Sequence, residues 1–268
     1  MGADDHAAPV LRVAQITDTH LYADPDGRLM GLNTRACLEQ VVELARRRSP
    51  SLVIATGDLT HNGSPQAYRL LQECFAPLQA PVYCLPGNHD ERDVLRTVLD
   101  DGPCYSPAHV QAGSWQMAFV DTSVEGSDDG HIAARELEQL DGILAQSPDR
   151  PAIVWLHHQP VPVGSRWLDT MAVDNADEFF RVIDRHPQVR AVAWGHVHQC
   201  FEAQRNRVAL LAAPSTCIQF QPGSETFAVE TQAPGYRWLE LRSDGTFTTG
   251  VERLDHIPGD IDRRQPGY

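Results

Sequence analysis

Lysine is absent from this chain: all 22 basic residues are arginine, set against 36 acidic residues for a net charge of −14. With no lysine amine, Schiff-base chemistry and a Walker A phosphate loop are both excluded. The acidic balance disfavours broad nucleic-acid binding, which needs a basic footprint. It leaves room for a small anionic substrate, because bound metal ions can invert the local field. The six cysteines (Cys37, Cys74, Cys84, Cys104, Cys200 and Cys217) show no CxxC pair and no close spacing. Several sit in apolar runs, where cysteine behaves as a small buried hydrophobe. There is no long apolar span and no signal peptide, so the expected compartment is a reducing cytoplasm and no membrane partner is expected. Internal repeats, low-complexity tracts and domain linkers are also missing. With 268 residues, 42% of them hydrophobic, the chain suits one large domain or two small ones and can bury a substantial core.

What is present is a recurrent pattern. Five short apolar runs each end abruptly in Asp, Asn or His. Val13–Ile16 leads into Asp18-Thr19-His20, Leu52–Ala55 into Thr56-Gly57-Asp58, and Leu85 into Pro86-Gly87-Asn88-His89-Asp90. Ile153–Leu156 leads into His157-His158, and Ala191–Trp194 into Gly195-His196-Val197-His198. One such residue is an ordinary loop residue. Five together describe a site, because ligands of open α/β sheets bind beyond the carboxyl ends of the strands.

The order of elements supports a layered α/β domain. Strands are expected at Val10–Ile16, Leu52–Thr56, Val82–Leu85, Trp115–Val120, Ile153–Leu156 and Ala191–Trp194. Helices are expected from the Asn33 cap to about Arg48, at Pro65–Phe75, at Asp90–Leu99 with Asp90 as cap, at Ala133–Gln146 and at Asn175–His186. From Gln199 onward the texture turns to strands and turns: Val208–Ala212, Phe227–Glu230, Tyr236–Leu241 and Gly245–Val251. Residues 10–254 form the expected domain, and residues 255–268, rich in proline, glycine and charge, form a tail.

Asp, His and Asn offer oxygen and nitrogen donors suited to divalent first-row metals. Asp18 and His20 are two apart on extended backbone and can turn toward one ion; His196 and His198 repeat that spacing. Asp58, beside Gly57, is the candidate bridge between two ions. Asn88 supplies a neutral oxygen and His157 a further nitrogen. Two ions about 3.5–4 Å apart can acidify a shared water and clamp a phosphoryl group for in-line attack.

These blocks in order resemble those of the calcineurin-like metallophosphoesterases. Leu85–Asp90, Pro214-Ser215-Thr216-Cys217 and Ala233-Pro234-Gly235-Tyr236 are similar to segments of the bacterial class III 3′,5′-cyclic AMP phosphodiesterases, a resemblance running from Val10 to about Leu254. Relatives often carry proline where Gln159 stands. The resemblance implies an α/β fold, a four-layer αββα sandwich of two mixed β-sheets flanked by helices. It implies one ion on Asp18, His20, Asp58 and His198, and a second on Asp58, Asn88, His157 and His196, with Mn²⁺ or Fe²⁺ as candidates. His89 and Asp58 are then the catalytic residues, and His20, Asn88, His89 and His198 contact substrate. The implied reaction is hydrolysis of cyclic AMP to 5′-AMP, which lowers cellular cyclic AMP. A glycerophosphodiesterase or broad phosphodiesterase on the same core is the alternative, and a catalytically silent scaffold is disfavoured by the complete ligand set. Monomer and dimer both remain open.

Other residues read less sharply. His157 and His158 point oppositely on extended backbone, and the resemblance selects His157. His61, two residues before Gly63, either faces the substrate or, the favoured reading, is a solvated loop histidine, and His6, His109, His131, His186 and His256 read as surface residues. Arg166 and Trp167 either meet a nucleotide or merely pack on the domain. Asp121 reads as a structural hydrogen-bonding residue.

Overall fold

The computed structural model describes residues 10–99 and 104–264; residues 1–9, with His6, and the end of the tail lie outside the described residues. Two six-stranded sheets carry the fold. The first runs, edge to edge, β14 (Phe247–Arg253), β13 (Gly235–Leu241), β1 (Leu11–Ile16), β4 (Leu52–Thr56), β5 (Val82–Leu85) and β6 (Cys104–Tyr105). The second runs β11 (Phe201–Arg205), β12 (Val208–Ala212), β10 (Val189–Trp194), β9 (Ala152–Trp155), β8 (Trp115–Phe119) and β7 (His109–Ala112). A small ribbon, β2 (Arg28–Leu29) with β3 (Leu32–Asn33), precedes the first helix. In the first sheet β1, β4, β5 and β6 run parallel and β13 and β14 join antiparallel; in the second β12, β10, β9 and β8 run parallel and the two edges, β11 and β7, are antiparallel, so both are mixed.

Alternation along the strands builds three apolar layers. Val13, Leu52, Ile54, Ile153, Trp155, Ala191 and Ala193 pack between the two sheets. Their neighbours Ala14, Ile16, Val53 and Ala55 face the other way, onto Leu38, Val41, Leu71 and Leu95. These last four belong to α1 (Thr34–Arg46), α2 (Pro65–Phe75) and α3 (Arg92–Leu99). On the second sheet Val154, Val192 and Trp194 meet Leu140, Leu144, Phe179 and Ile183, from α4 (Ala134–Gln146) and α6 (Ala176–Arg185). The result is the four-layer αββα sandwich of two mixed sheets.

Local signals account for the helices. The Asn33 side chain accepts the Ala36 N–H at 2.8 Å, capping α1. Ser64 accepts from Ala67 N at the start of α2, where Pro65 costs no hydrogen bond. Across the sandwich, the buried Gln15 side chain donates to Thr56 Oγ1 (3.1 Å) and to the Trp194 carbonyl (2.9 Å), tying β1 to both rims.

Three expectations are corrected: the strand at Phe227–Glu230, the Asp90 cap and the surface reading of His186. Phe227–Glu230 is not a strand; it makes one isolated bridge, Phe220 to Val229. The helix after β5 starts at Arg92, and Asp90 bonds elsewhere. His186 is buried rather than on the surface, its Nε2 2.7 Å from Asp141 Oδ1. Arg166 and Trp167 form a short helix, α5 (Arg166–Asp169). Trp167 stacks edge-on against Phe220 and Phe227 and donates to Ser224, and Arg166 lies 3.3 Å from Glu225. In the tail, Asp262 N donates to the Met30 carbonyl, and Ile257 and Ile261 pack on the helix side of the second sheet. No helix among the described residues is long and apolar enough to cross a membrane.

Candidate metal centre

The loops after β1, β4, β5, β9 and β10 converge. Nine non-glycine residues among those described have positive φ, and five of them are Asp18 (53°), His20 (43°), Asp58 (48°), His196 (60°) and His198 (46°). Each turns left-handed directly beyond its strand, which swings the side chain off the line of the sheet and inward. Asp and His tolerate this conformation better than most residues, but it still costs energy.

Asp18 and Asp58 lie at the middle. Asp58 Oδ1 is 3.3 Å from His157 Nε2 and accepts the His89 backbone N–H at 2.9 Å, while its Oδ2 is 3.7 Å from His20 Nε2. Each Asp58 oxygen therefore meets a different imidazole. Asp18 Oδ1 is 3.4 Å from His198 Nε2, and both Asp18 oxygens accept the His196 backbone N–H at 3.1 Å. His20 Nε2 and His198 Nε2 approach to 3.3 Å. Asn88 donates its amide to Asp128 Oδ1 (3.3 Å), which turns its own Oδ1 toward His157 Nε2 at 3.1 Å. Gly87 makes the closeness possible: a Cβ there would stand 2.2 Å from Asp58 Oδ1 and 2.7 Å from His157 Nε2.

Backbone carbonyls select the histidine tautomers. His157 Nδ1 lies 2.8 Å from the Thr56 carbonyl, His198 Nδ1 2.9 Å from that of Ile218, and His89 Nδ1 3.1 Å from that of His61. A carbonyl only accepts, so Nδ1 carries the hydrogen and Nε2 faces the centre, the arrangement that orients metal-binding imidazoles. Phe220 stacks flat on His198 at 4.1 Å, and the Ser215 hydroxyl donates to the Asp18 carbonyl at 2.8 Å.

Charge is unevenly shared. Burial opposes ionisation of Asp58, but the charge and hydrogen bond of His157 prevail and hold its carboxyl well below the usual range. Burial likewise disfavours charge on His157, yet Asp58 brings it up to about 9. Burial holds His20 and His196 well below the ordinary histidine value, so both present neutral rings with lone pairs.

The donor set fits divalent cations. Asp18, His20 and His198 bring ligand atoms within 4.8 Å of one another, and so do Asp18, Asp58 and His157. The Nε2 atoms of His196 and His158 are buried with no hydrogen-bond partner among the described residues. His158 belongs to a third group with His157 and His196, and its Nδ1 lies 2.7 Å from Thr122 Oγ1. His61 is half-buried, stacked on His89 at 5.0 Å and on Tyr22 at 4.6 Å, and burial takes it down to about 4. The reading of His61 as solvated is thereby replaced. Asp121 bonds Ser123 and pairs with Arg92 at 2.6 Å, a structural role as expected.

Sequence reasoning missed Asp90 as a brace. Its carboxylate accepts from Leu59 N, Thr60 N and Gly87 N instead of capping α3. Burial and the charge of Asp58 push it up to about 6, against the pull of those N–H groups. It also missed Ser215, Phe220 and the carbonyls of Thr56, His61 and Ile218; a carbonyl carries no residue identity and so leaves no mark in a sequence.

The chain resembles known proteins along most of its length. The family profile described as calcineurin-like phosphoesterase matches residues 11–200. The chain is 39% identical over 263 residues to the 3′,5′-cyclic adenosine monophosphate phosphodiesterase CpdA of Pseudomonas aeruginosa, covering 97% of this chain and 96% of that one. It is 40% identical over 248 residues to a 3′,5′-cyclic-nucleotide phosphodiesterase of Nostoc sp., covering 92% and 93%. Among solved structures, a dimetal phosphatase from Danio rerio superposes with a TM-score of 0.65 at 17% identity, over 90% of this chain and 98% of that one.

Proposed function

The chain belongs to the calcineurin-like phosphoesterases, and from that premise we propose that it hydrolyses 3′,5′-cyclic AMP to 5′-AMP with two divalent ions, lowering the cyclic AMP of its cell. The observation that carries the reading is the convergence of two carboxylates, one amide and four imidazoles, from five loops, on one centre. The near full-length likeness to curated cyclic-nucleotide phosphodiesterases supports the substrate.

Asp18, His20, Asp58 and His198 would hold one ion; Asp58, Asn88, His157 and His196 would hold the other. Mixed oxygen and imidazole donors suit Mn²⁺ or Fe²⁺. When bound, such a pair supplies Lewis acidity and a water acidic enough to act as nucleophile near neutral pH. The protein's own work is placement and proton transfer. Asp58 anchors the main chain of His89 through its N–H. The His61 carbonyl keeps hydrogen on His89 Nδ1, so His89 donates from Nε2 only as an imidazolium. In that state it stabilises the phosphate and gives its proton to the 3′ oxygen as the P–O3′ bond breaks. His20, Asn88 and His198 would contact the phosphate. The six free thiols support a reducing cytoplasm as the place of action.

The test compares kcat/KM of metal-loaded protein on 3′,5′-cyclic AMP, cyclic GMP, a 2′,3′-cyclic nucleotide and a glycerophosphodiester. Cyclic AMP is expected to be preferred. A clear preference for the glycerophosphodiester would replace the substrate.

A further inference from the structure

Asp58 and Asn88 belong to different loops, and the second ion needs both at a set distance. Gly87 shows how near the loops come: a Cβ there would lie 2.4 Å from Asp58 N, so no side chain separates them. What spans them is the carboxylate of Asp90. Its Oδ2 accepts Leu59 N (3.0 Å) from the loop of Asp58 and Gly87 N (3.0 Å) from the loop of Asn88. Its Oδ1 accepts Thr60 N (3.1 Å), the Thr60 hydroxyl (3.2 Å) and the Tyr68 hydroxyl (2.9 Å) from α2. Tyr68 in turn accepts Glu91 N at 3.0 Å, which closes the brace on the far side. With its oxygens taken up by five donors, Asp90 is not a ligand. It is the one side chain described here that bonds the main chain of both loops.

We propose that Asp90 is a positioning residue: it sets the spacing of Asp58 and Asn88, and through that spacing the affinity of the second ion. The inference rests on the two-ion reading above. It bears more on the second ion than on the first: Asp58 serves both, but Asn88 serves only the second, and the loop of Asp18 and His20 is held also by contacts that do not involve Asp90, such as Ser215 to the Asp18 carbonyl.

Asp90→Asn is isosteric but keeps only one acceptor oxygen, so at least one backbone N–H of the brace is left facing an N–H. Metal-free wild-type and variant protein would be titrated with Mn²⁺ and read by electron paramagnetic resonance, where a paired centre shows an exchange-coupled signal and a single ion does not. Wild type is expected to take two ions. Asp90→Asn is expected to keep the first and to need about 10–100-fold more Mn²⁺ for the coupled signal, the usual cost of losing an outer partner. Tyr68→Phe removes one donor, leaves the backbone bonds, and should weaken the second ion by no more than about fivefold. It serves in place of Asp90→Asn should that variant fail to fold, and no shift at all would then overturn the proposal. Equal weakening of both ions, or a lowered melting temperature with both affinities unchanged, would reduce Asp90 to a general structural role. Wild-type protein that binds no Mn²⁺ pair would instead overturn the function proposed above, and this inference with it.

Discussion

The rim of the first sheet carries Asp18, Asp58 and Asn88, and with them every oxygen donor assigned to the ions. The rim of the second carries His157, His196 and His198 and no carboxylate. The two sets are also placed by different means. The oxygen side is laced main chain to main chain: Asp18 N to the Gly57 carbonyl (3.1 Å), His20 N to that of Asp58 (2.9 Å) and Leu21 N to that of Leu59 (3.2 Å). The imidazole side is aimed ring by ring, and His157 takes its aim from Thr56, which belongs to the opposite sheet. One rim therefore supplies negative charge on a stiff frame, and the other supplies imidazoles, of which His157 and His198 are each aimed by a single hydrogen bond to a carbonyl. Either ion, once bound, would draw on both rims.

The largest expected effect tests the charged side. Asp58→Ala removes the carboxylate shared by both ions, and activity is expected to fall to the limit of detection with metal content lowered. Two tightly held ions and normal turnover in this variant would take Asp58 out of the bridge. His89 is the exception on the same rim, an imidazole beside the oxygens that is assigned no ion. His89→Ala should keep both metals while kcat falls ~10²–10⁴-fold, the range of a lost general acid. The defect should shrink on an aryl phosphodiester, whose leaving group needs less help. Loss of an ion from this variant would make His89 a ligand.

On the imidazole side, His196→Ala should release one ion, keep the other, and in excess Mn²⁺ lower kcat/KM by about 10–100-fold, as weakened metal shells do. Release of both ions, as counted by metal analysis, would erase the distinction between the rims. The smallest effect concerns neither. Five of the six cysteines are buried and none is in a disulfide, and burial pushes Cys74 up to about 12. Millimolar thiol reductant should leave the rate unchanged; strong inactivation without metal loss would reveal a disulfide that forms in solution.

The central strands were legible in the sequence because strands covered on both faces read as continuous apolar runs, as in Leu52–Thr56 and Ala152–Trp155. The helices were legible through apolar periodicity and caps such as Asn33 and Ser64. Among edge strands the record is split: Phe247–Arg253 matches the strand expected at Gly245–Val251, whereas Phe201–Arg205 is mostly exposed and its Glu, Gln and Arg give no apolar signal. Phe227–Glu230 carried the composition of a strand but found no ladder to join. At the centre, the residue types at strand ends were legible only in company, since one Asp, Asn or His there is an ordinary loop residue and five strands ending alike are not. The supports were not legible. Asp90 looked like a helix cap because aspartate before a helix usually is one, and its real partners are main-chain N–H groups of two loops and the hydroxyls of Thr60 and Tyr68. His186 looked external until Asp141 was seen beside it.

The left-handed backbones of Asp18, His20, Asp58, His196 and His198 bear on the lifetime of the chain. At about 1 kcal/mol each, five such positions approach the ~5–15 kcal/mol net stability of a whole domain. That cost falls on one edge of the molecule, where in the absence of cations the facing carboxylates and rings offer the least return. Chains that have not acquired their ions should thus open at this edge first, and proteolysis that follows the open population would remove them ahead of loaded ones. Limited digestion with and without chelator would show it as early cuts in the loops around residues 17–21, 57–63 and 195–199. Metal supply would in that way govern how many copies persist, apart from how fast each one turns over.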